Sequence, residues 1–210
     1  MAAFINNSAF LGVPITLSLF GKPAAQLGPL VVAVDFLALF SLGCASIAKA
    51  SGHTFKEAFV RTAKNPTVIG ALIGVALLVM GLRFPPPIET ALDLMGRSGP
   101  PVALVALGGM LGMMPWRTLA GFDPVSAAAI VGKTMVAPAL VALVLWGLHA
   151  DAMTFKVCVF LAATPTAVSV FIQAKIYEVW FEGAAKTVAQ STVFSLITLS
   201  VLAVVLTQVR

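Results

Sequence analysis

Asp35, in "VVAVDFLALF", and Lys133, in "AAAIVGKTMVAP", are single charges set deep in long apolar runs. A charge in hydrocarbon costs ~2.5–3.5 kcal/mol on insertion scales, so such a group faces protein or a wet cavity. Opposite in sign, the two suit two tasks. A carboxylate can carry a coupling proton or cation, and an ammonium can attract an anionic substrate. A purely structural pair is the alternative, as is a lysine snorkelling toward the polar loop at Asp123. Other chemistry is sparse. Cys44 and Cys158 stand singly in apolar runs and read as small buried side chains, and His53 and His149 lie in loops without metal spacing. No Ser, His, Asp or Cys set is spaced for catalysis, so neither an enzyme nor a cofactor is expected.

The remaining polar groups fall into two proline-interrupted runs. "NNSAFLGVPITLSLFG" carries Asn6, Asn7, Ser8, Pro14 and Thr16; "VCVFLAATPTAVSVFIQAKIY" carries Thr164, Pro165, Thr166, Ser169 and Gln173. Proline removes a backbone donor and blocks the carbonyl one turn earlier. In lipid, backbone groups freed in this way are tolerated only against protein or a water-filled cavity. Two interrupted segments in corresponding positions point to the binding site of an inverted-repeat transporter, where half-helix ends offer N–H or C=O groups to a substrate. Asn6, Asn7, Pro14, Thr164, Pro165, Thr166 and Gln173 are the candidate substrate-binding residues, with Asp35 and Lys133 as the candidate charge and coupling pair. Plainer roles stay open: ordinary kinks at the prolines, a cap at Asn6, an amide closing a neighbour's backbone at Asn7, and threonine hydroxyls bonded to the preceding turn.

The elements that must position these residues follow from composition. The chain has 210 residues, 60% hydrophobic and 10% charged, with a mean hydropathy of +1.02. Roughly 25% charge is usual for a soluble domain, so this chain cannot cover a water-facing surface and its solvent is the lipid bilayer. Its apolar runs are long rather than ~10-residue alternating strands, which excludes a membrane barrel and predicts an all-α integral membrane protein. A net charge of +5 is explained by loop lysines and gives no reason to expect nucleic acid. No basic segment precedes the first apolar run, so no cleavable signal peptide is expected.

Seven spans are expected: Phe4 to Phe20, Leu27 to Ala48, Thr67 to Leu82, Pro100 to Met114, Val125 to Leu148, Phe155 to Ala174 and Thr187 to Thr207. Pro100-Pro101 suits a helix start. Gly70 with Gly74, and Gly108, Gly109 and Gly112, read as surfaces for close helix packing. Residues 49–64, with Lys49, Lys56, Arg61 and Lys64, form the most basic loop and are placed in the cytoplasm by the positive-inside rule. "KIYEVWFEGAAK" reads as a short interfacial helix, with Tyr177, Trp180 and Phe181 at headgroup level.

Several stretches resemble the auxin efflux carrier (AEC) family. "NNSAFLGVP" followed by "LFG" is similar to its fourth span, an Asn followed by an apolar stretch and Gly-x-Pro. "RTAKNPTVIGALIGV" resembles the start of its sixth span, "PPVALVALGGML" its seventh, "KTMVAPAL" its eighth, "PTAVSVFIQAKIY" its ninth and "STVFSLITL" its tenth. The resemblance covers nearly the whole chain. It implies a bile-acid/sodium symporter-like fold of ten spans, built as two inverted five-helix repeats, with broken helices crossing at spans four and nine. It also implies elevator-type transport of a carboxylate such as malonate, malate or an auxin-like acid, a homodimer, and a basic residue at the place of Lys133. Asp35 matches no pattern of that family.

On this resemblance the seven spans correspond to spans four to ten. Residues 1–50 would end the first repeat, 51–64 would be the cytoplasmic loop, and 65–210 would be the complete second repeat. The expected function is secondary transport of small organic anions across a bacterial inner membrane, coupled to a proton or cation. The alternative is an N-terminally truncated, non-transporting fragment, or a subunit that completes its scaffold with another chain. A seven-span receptor would need no paired broken helices.

Overall fold

The computed structural model describes residues 1–52, 54–113, 115–121 and 123–208. His53, and Met114 at the expected end of the fourth span, lie outside them. Every regular element among the described residues is a helix. In chain order they are α1 (Ser8–Phe20), α2 (Lys22–Ala50), α3 (Phe55–Ala63), α4 (Pro66–Val79), α5 (Pro86–Met113), α6 (Trp116–Ala120), α7 (Pro124–Gly147), α8 (Ala152–Ala162), α9 (Val168–Ile176) and α10 (Phe181–Gln208). Three of these, α2, α7 and α10, are long and apolar enough to cross a membrane; Ser8–Phe20, Val68–Leu77 and Ala152–Ala162 are shorter apolar helices. Large apolar side chains such as Leu143, Val144, Val193 and Leu196 are exposed on them, as befits helices whose solvent is lipid.

Local chemistry sets the helix ends. α1 and α2 form a hairpin around Gly21, whose φ of +73° and ψ of −155° strain any residue with a Cβ. Thr54 and Glu57 form a reciprocal capping box at α3: the Thr54 N–H and hydroxyl donate to Glu57 Oε2 at 2.7 and 2.8 Å, and the Glu57 N–H donates to Thr54 Oγ1 at 3.3 Å. The basic loop therefore contains a helix.

α5 begins at Pro86 and runs through Pro100-Pro101, correcting the expected start at Pro100. Prolines fit best in a first turn, where the N–H has no partner. The run Pro85 to Pro87, with Glu89 in the first turn, satisfies that better, and Glu89 complements the positive helix end. The expected interfacial helix is also absent among the described residues. Glu178 and Trp180 adopt positive φ, α10 starts at Phe181, and Tyr177 is buried beside Ala48.

α1, α2 and α7 each contain a π-turn, at Ser8–Gly12, Phe36–Phe40 and Gly132–Val136. In α1 and α7 a proline follows two residues later, Pro14 and Pro138. Each proline ring crowds the carbonyl four residues back, which lies inside the π-turn, and the widened turn relieves that clash.

Asp123 and Asp151 cap α7 and α8. Asp123 accepts from the Val125 N–H at 3.2 Å, the Ser126 N–H at 3.1 Å and the Ser126 hydroxyl at 2.7 Å; Asp151 accepts from the Met153 and Thr154 N–H groups, both at 3.0 Å. The bonds from Ser126 hold Asp123 below the usual carboxylate range, and those from Thr154 do the same for Asp151. A depressed folded-state pKa contributes stability above the unfolded value of about 3.9, and that stability is lost as pH falls through the folded value. The thermal midpoint in detergent is therefore expected to hold down to about pH 5 and to fall below about pH 4. Asp123→Asn keeps the cap without a titrating group, so its midpoint should fall less over the same window. Equal falls for variant and wild type would refute the assignment.

Candidate functional site

The two interrupted runs meet. Residues 5–7 lead into α1 in a non-helical break, and residues 163–167 form a second break between α8 and α9. The breaks cross antiparallel at Asn6 and Thr166. The Asn7 N–H donates to the Pro165 carbonyl at 2.9 Å, and the Ala167 N–H donates to the Ile5 carbonyl at 3.2 Å. The Thr166 hydroxyl donates to the Ala2 carbonyl at 2.9 Å, and its N–H donates to Ser191 Oγ on α10 at 3.2 Å. Unpaired backbone groups are expensive away from water, and each break supplies the partners that the other lacks. Gly12 lets the two segments approach. A Cβ there would stand 2.5 Å from Leu161 Cδ2 and 3.0 Å from Thr164 Cγ2.

A cavity of about 280 Å³ opens beside the crossing. Its wall includes Asn6, Asn7 and Ser8 from the first run, Val168 and Ser169 from the second, and Asp35 from α2. Phe36 and Phe40, stacked at 4.5 Å, close one side. Two helices begin at this cavity, α1 with Ser8 to Phe10 and α9 with Val168 and Ser169. First-turn N–H groups have no carbonyl a turn earlier, and each helix start carries a partial positive charge. The site therefore offers backbone donors and positive ends from two directions. Asn7 does not use its side chain to cap α1, so its amide is available at the same wall.

Asp35 and Lys133 contact different breaks, Asp35 the first and Lys133 the end of α8 beside the second. Asp35 accepts from Asn6 Nδ2 at 2.6 Å and from the Ser8 hydroxyl at 3.4 Å. Lys133, with no exposed surface, donates from Nζ to the carbonyl of Ala162, the last residue of α8. Among the described residues no ion pair joins the two, though each lies in the other's field. Asn6, Asp35 and Ala162 line a second cavity of about 410 Å³ on the α7 side.

Not every candidate residue lies at the crossing. Pro14 is exposed on α1, past the π-turn, and the first run breaks at residues 5–7 instead of at its proline. The reason is that a proline just after a π-turn is accommodated inside a continuous helix, whereas the preceding Ile5 carbonyl and Asn7 N–H pair with the other break. Gln173 is buried on α9 away from the cavity, where its Oε1 accepts from Asn65 Nδ2 at 2.9 Å and faces Cys44 Sγ at 3.8 Å. Thr164 and Thr166 are fully buried. The Thr164 hydroxyl bonds back to the Leu161 carbonyl at 2.7 Å, and the Thr166 hydroxyl is committed to Ala2.

Gly70, Gly74, Gly108, Gly109 and Gly112 have nothing within 4 Å of a Cβ position among the described residues, so they pack against no neighbour there. Ser8, Ser169 and Gly12 matter more to the crossing than their residue types suggest. The spacing of Ser8 and Ser169 beside the interruptions was the available signal, and Gly12 was marked only as the glycine of the Gly-x-Pro stretch. A larger hollow of about 640 Å³, edged by Lys175 and Glu182, lies along α5, α9 and the start of α10 and contains none of the crossing residues.

Residues 1–203 match the family model described as membrane transport protein. A protein of Rhizobium meliloti (strain 1021) bearing the name "Putative malonate transporter" is 29% identical over 208 residues. The alignment takes in 95% of this chain and 63% of that relative, so the chain spans less than two thirds of the relative's length. With the whole helical crossing inside the matched region, the chain belongs to the membrane transport protein family, the auxin efflux carrier family that its interrupted spans resemble.

Proposed function

We propose that this chain carries the substrate site of a secondary transporter for small organic anions, carboxylates such as malonate, malate or auxin-like acids. The observation that supports this reading is the convergence of two helix starts and the Asn7 amide on one cavity at the crossing. A carboxylate takes hydrogen bonds from the N–H groups and gains from both positive ends without meeting a full counter-charge that would hold it too tightly. Ser169 and Asn7 orient it, and the stacked Phe36 and Phe40 cover its apolar side. Asp35, tied to the crossing through Asn6, is the group through which coupling to a gradient runs. The crossing segments move as one elevator-type body against the remaining helices, and the protein works as a homodimer in a bacterial inner membrane, with residues 49–64 in the cytoplasm.

Uptake tests this directly. The purified chain in proteoliposomes is expected to accumulate radiolabelled malonate under an imposed gradient, and unlabelled malate should compete. Absence of uptake under proton, sodium and potential gradients alike would overturn transport by this chain. Saturable malonate binding without uptake would mark a binding subunit that needs another chain to complete its scaffold.

A further inference from the structure

The last turn of α8 carries a complete set of acceptors, and one of them is answered in an unusual way. A helix that ends leaves four carbonyls without intrahelical partners. Here the Val159 and Phe160 carbonyls both accept from the Ala163 N–H at 3.1 Å, and the Leu161 carbonyl accepts from the Thr164 N–H at 3.2 Å and the Thr164 hydroxyl at 2.7 Å. The fourth, Ala162, accepts from the Lys133 ammonium, a group belonging to another helix and wholly buried. The position is electrically specific. It is the negative end of the α8 dipole, beside a carboxylate, Asp35, that lines the same 410 Å³ cavity as Ala162. Carbonyls at the C-terminal end of a half-helix, with a carboxylate nearby, are oxygen ligands of the kind that hold Na⁺ in transporters with broken helices.

We propose that Lys133 is a tethered cation: its ammonium occupies the place at the end of α8 that a free Na⁺ would otherwise fill. The charge is the same, and the π-turn Gly132–Val136, from which Lys133 projects, sets the lysine stem against the break. Removing the amine leaves the Ala162 carbonyl unanswered, with Asp35 lining the same cavity as Ala162, a vacancy that Na⁺ can enter. The consequence for the carrier is Na⁺-independence, and in that respect the inference rests on the transport reading. The occupancy itself does not.

The experiment reads occupancy without transport. In detergent, at equal ionic strength, the wild-type thermal midpoint should be the same in NaCl and in choline chloride. Lys133→Ala should melt lower than wild type in choline and recover by about 2 °C or more in NaCl only, as binding to the folded state requires. A Na⁺-specific rise in the wild type, or no Na⁺-specific rise in a folded Lys133→Ala protein, would overturn the proposal. Should that variant not fold, ²²Na⁺ binding to the wild type decides. No stoichiometric binding is expected, and binding that Asp35→Asn removes would refute the tethered cation. Loss of malonate uptake in every salt would count against the transport reading and leave these results standing.

Discussion

Asn7→Asp is expected to abolish malonate uptake, and Asn7→Ala to weaken it without abolishing it. Asn7 lines the cavity between the two helix starts, and its side chain caps neither of them. Its amide is therefore a neutral donor for a bound carboxylate. A hydrogen bond to a charged group contributes about 1.5–3 kcal/mol, and each ~1.4 kcal/mol is tenfold in affinity, so alanine should raise the half-saturating malonate concentration roughly 10- to 100-fold. Aspartate adds a like charge where the anion must sit, which costs several kcal/mol and should suppress uptake by more than about 100-fold. Both variants keep the backbone bonds of Asn7, from its N–H to the Pro165 carbonyl and from the Leu11 and Gly12 N–H groups to its own carbonyl. Their thermal midpoints should therefore stay close to wild type. Wild-type uptake by Asn7→Asp would remove the anion from this cavity.

Gly12→Val is expected to have the largest effect on stability. In an exposed helix, replacing glycine gains propensity, about 0.5–1 kcal/mol for alanine. At position 12 overlap outweighs that gain. The first added carbon already meets Leu161 Cδ2 at 2.5 Å and Thr164 Cγ2 at 3.0 Å, and both of those residues are fully buried, so neither can swing aside. Overpacking of this kind costs typically about 1–3 kcal/mol, and two further methyl groups on valine place it at the upper end or beyond. The strain falls on the crossing, so uptake should fail along with the thermal midpoint. Gly74→Ala, with nothing within 4 Å, is the matched control and should shift the midpoint little. If Gly12→Val and Gly74→Ala behave alike, the close approach of the two breaks is not what holds the crossing together.

How far the sequence led differs from residue to residue. Asp35 and Lys133 were identifiable because a charge in an apolar run is expensive wherever it lies, and the structure buries Lys133 fully. The second break was legible because Pro165 stands between two threonines with no helix signal to offset it. The first was misplaced. Pro14 is the visible helix breaker, yet the chain breaks at Ile5 to Asn7 because the Asn7 N–H and the Ile5 carbonyl find partners in Pro165 and Ala167, far away in the chain. Gln173 shows the same limit. Its polarity suggested a ligand, and its partner proved to be Asn65, 108 residues earlier.

The sequence by itself determined what is set by transfer energy and local geometry: an all-helical protein solvated by lipid, two polar interrupted runs, and two charges that had to be answered. Those follow from composition and from what proline and glycine do to a backbone, whatever the chain packs against. Only the tertiary structure decided which backbone groups pair at the crossing, that two helix starts open on one cavity, and that Lys133 answers the last carbonyl of α8 instead of Asp35. Hydrogen bonds between distant segments depend on how the helices pack, and no local pattern in the chain encodes which carbonyl a buried ammonium will reach.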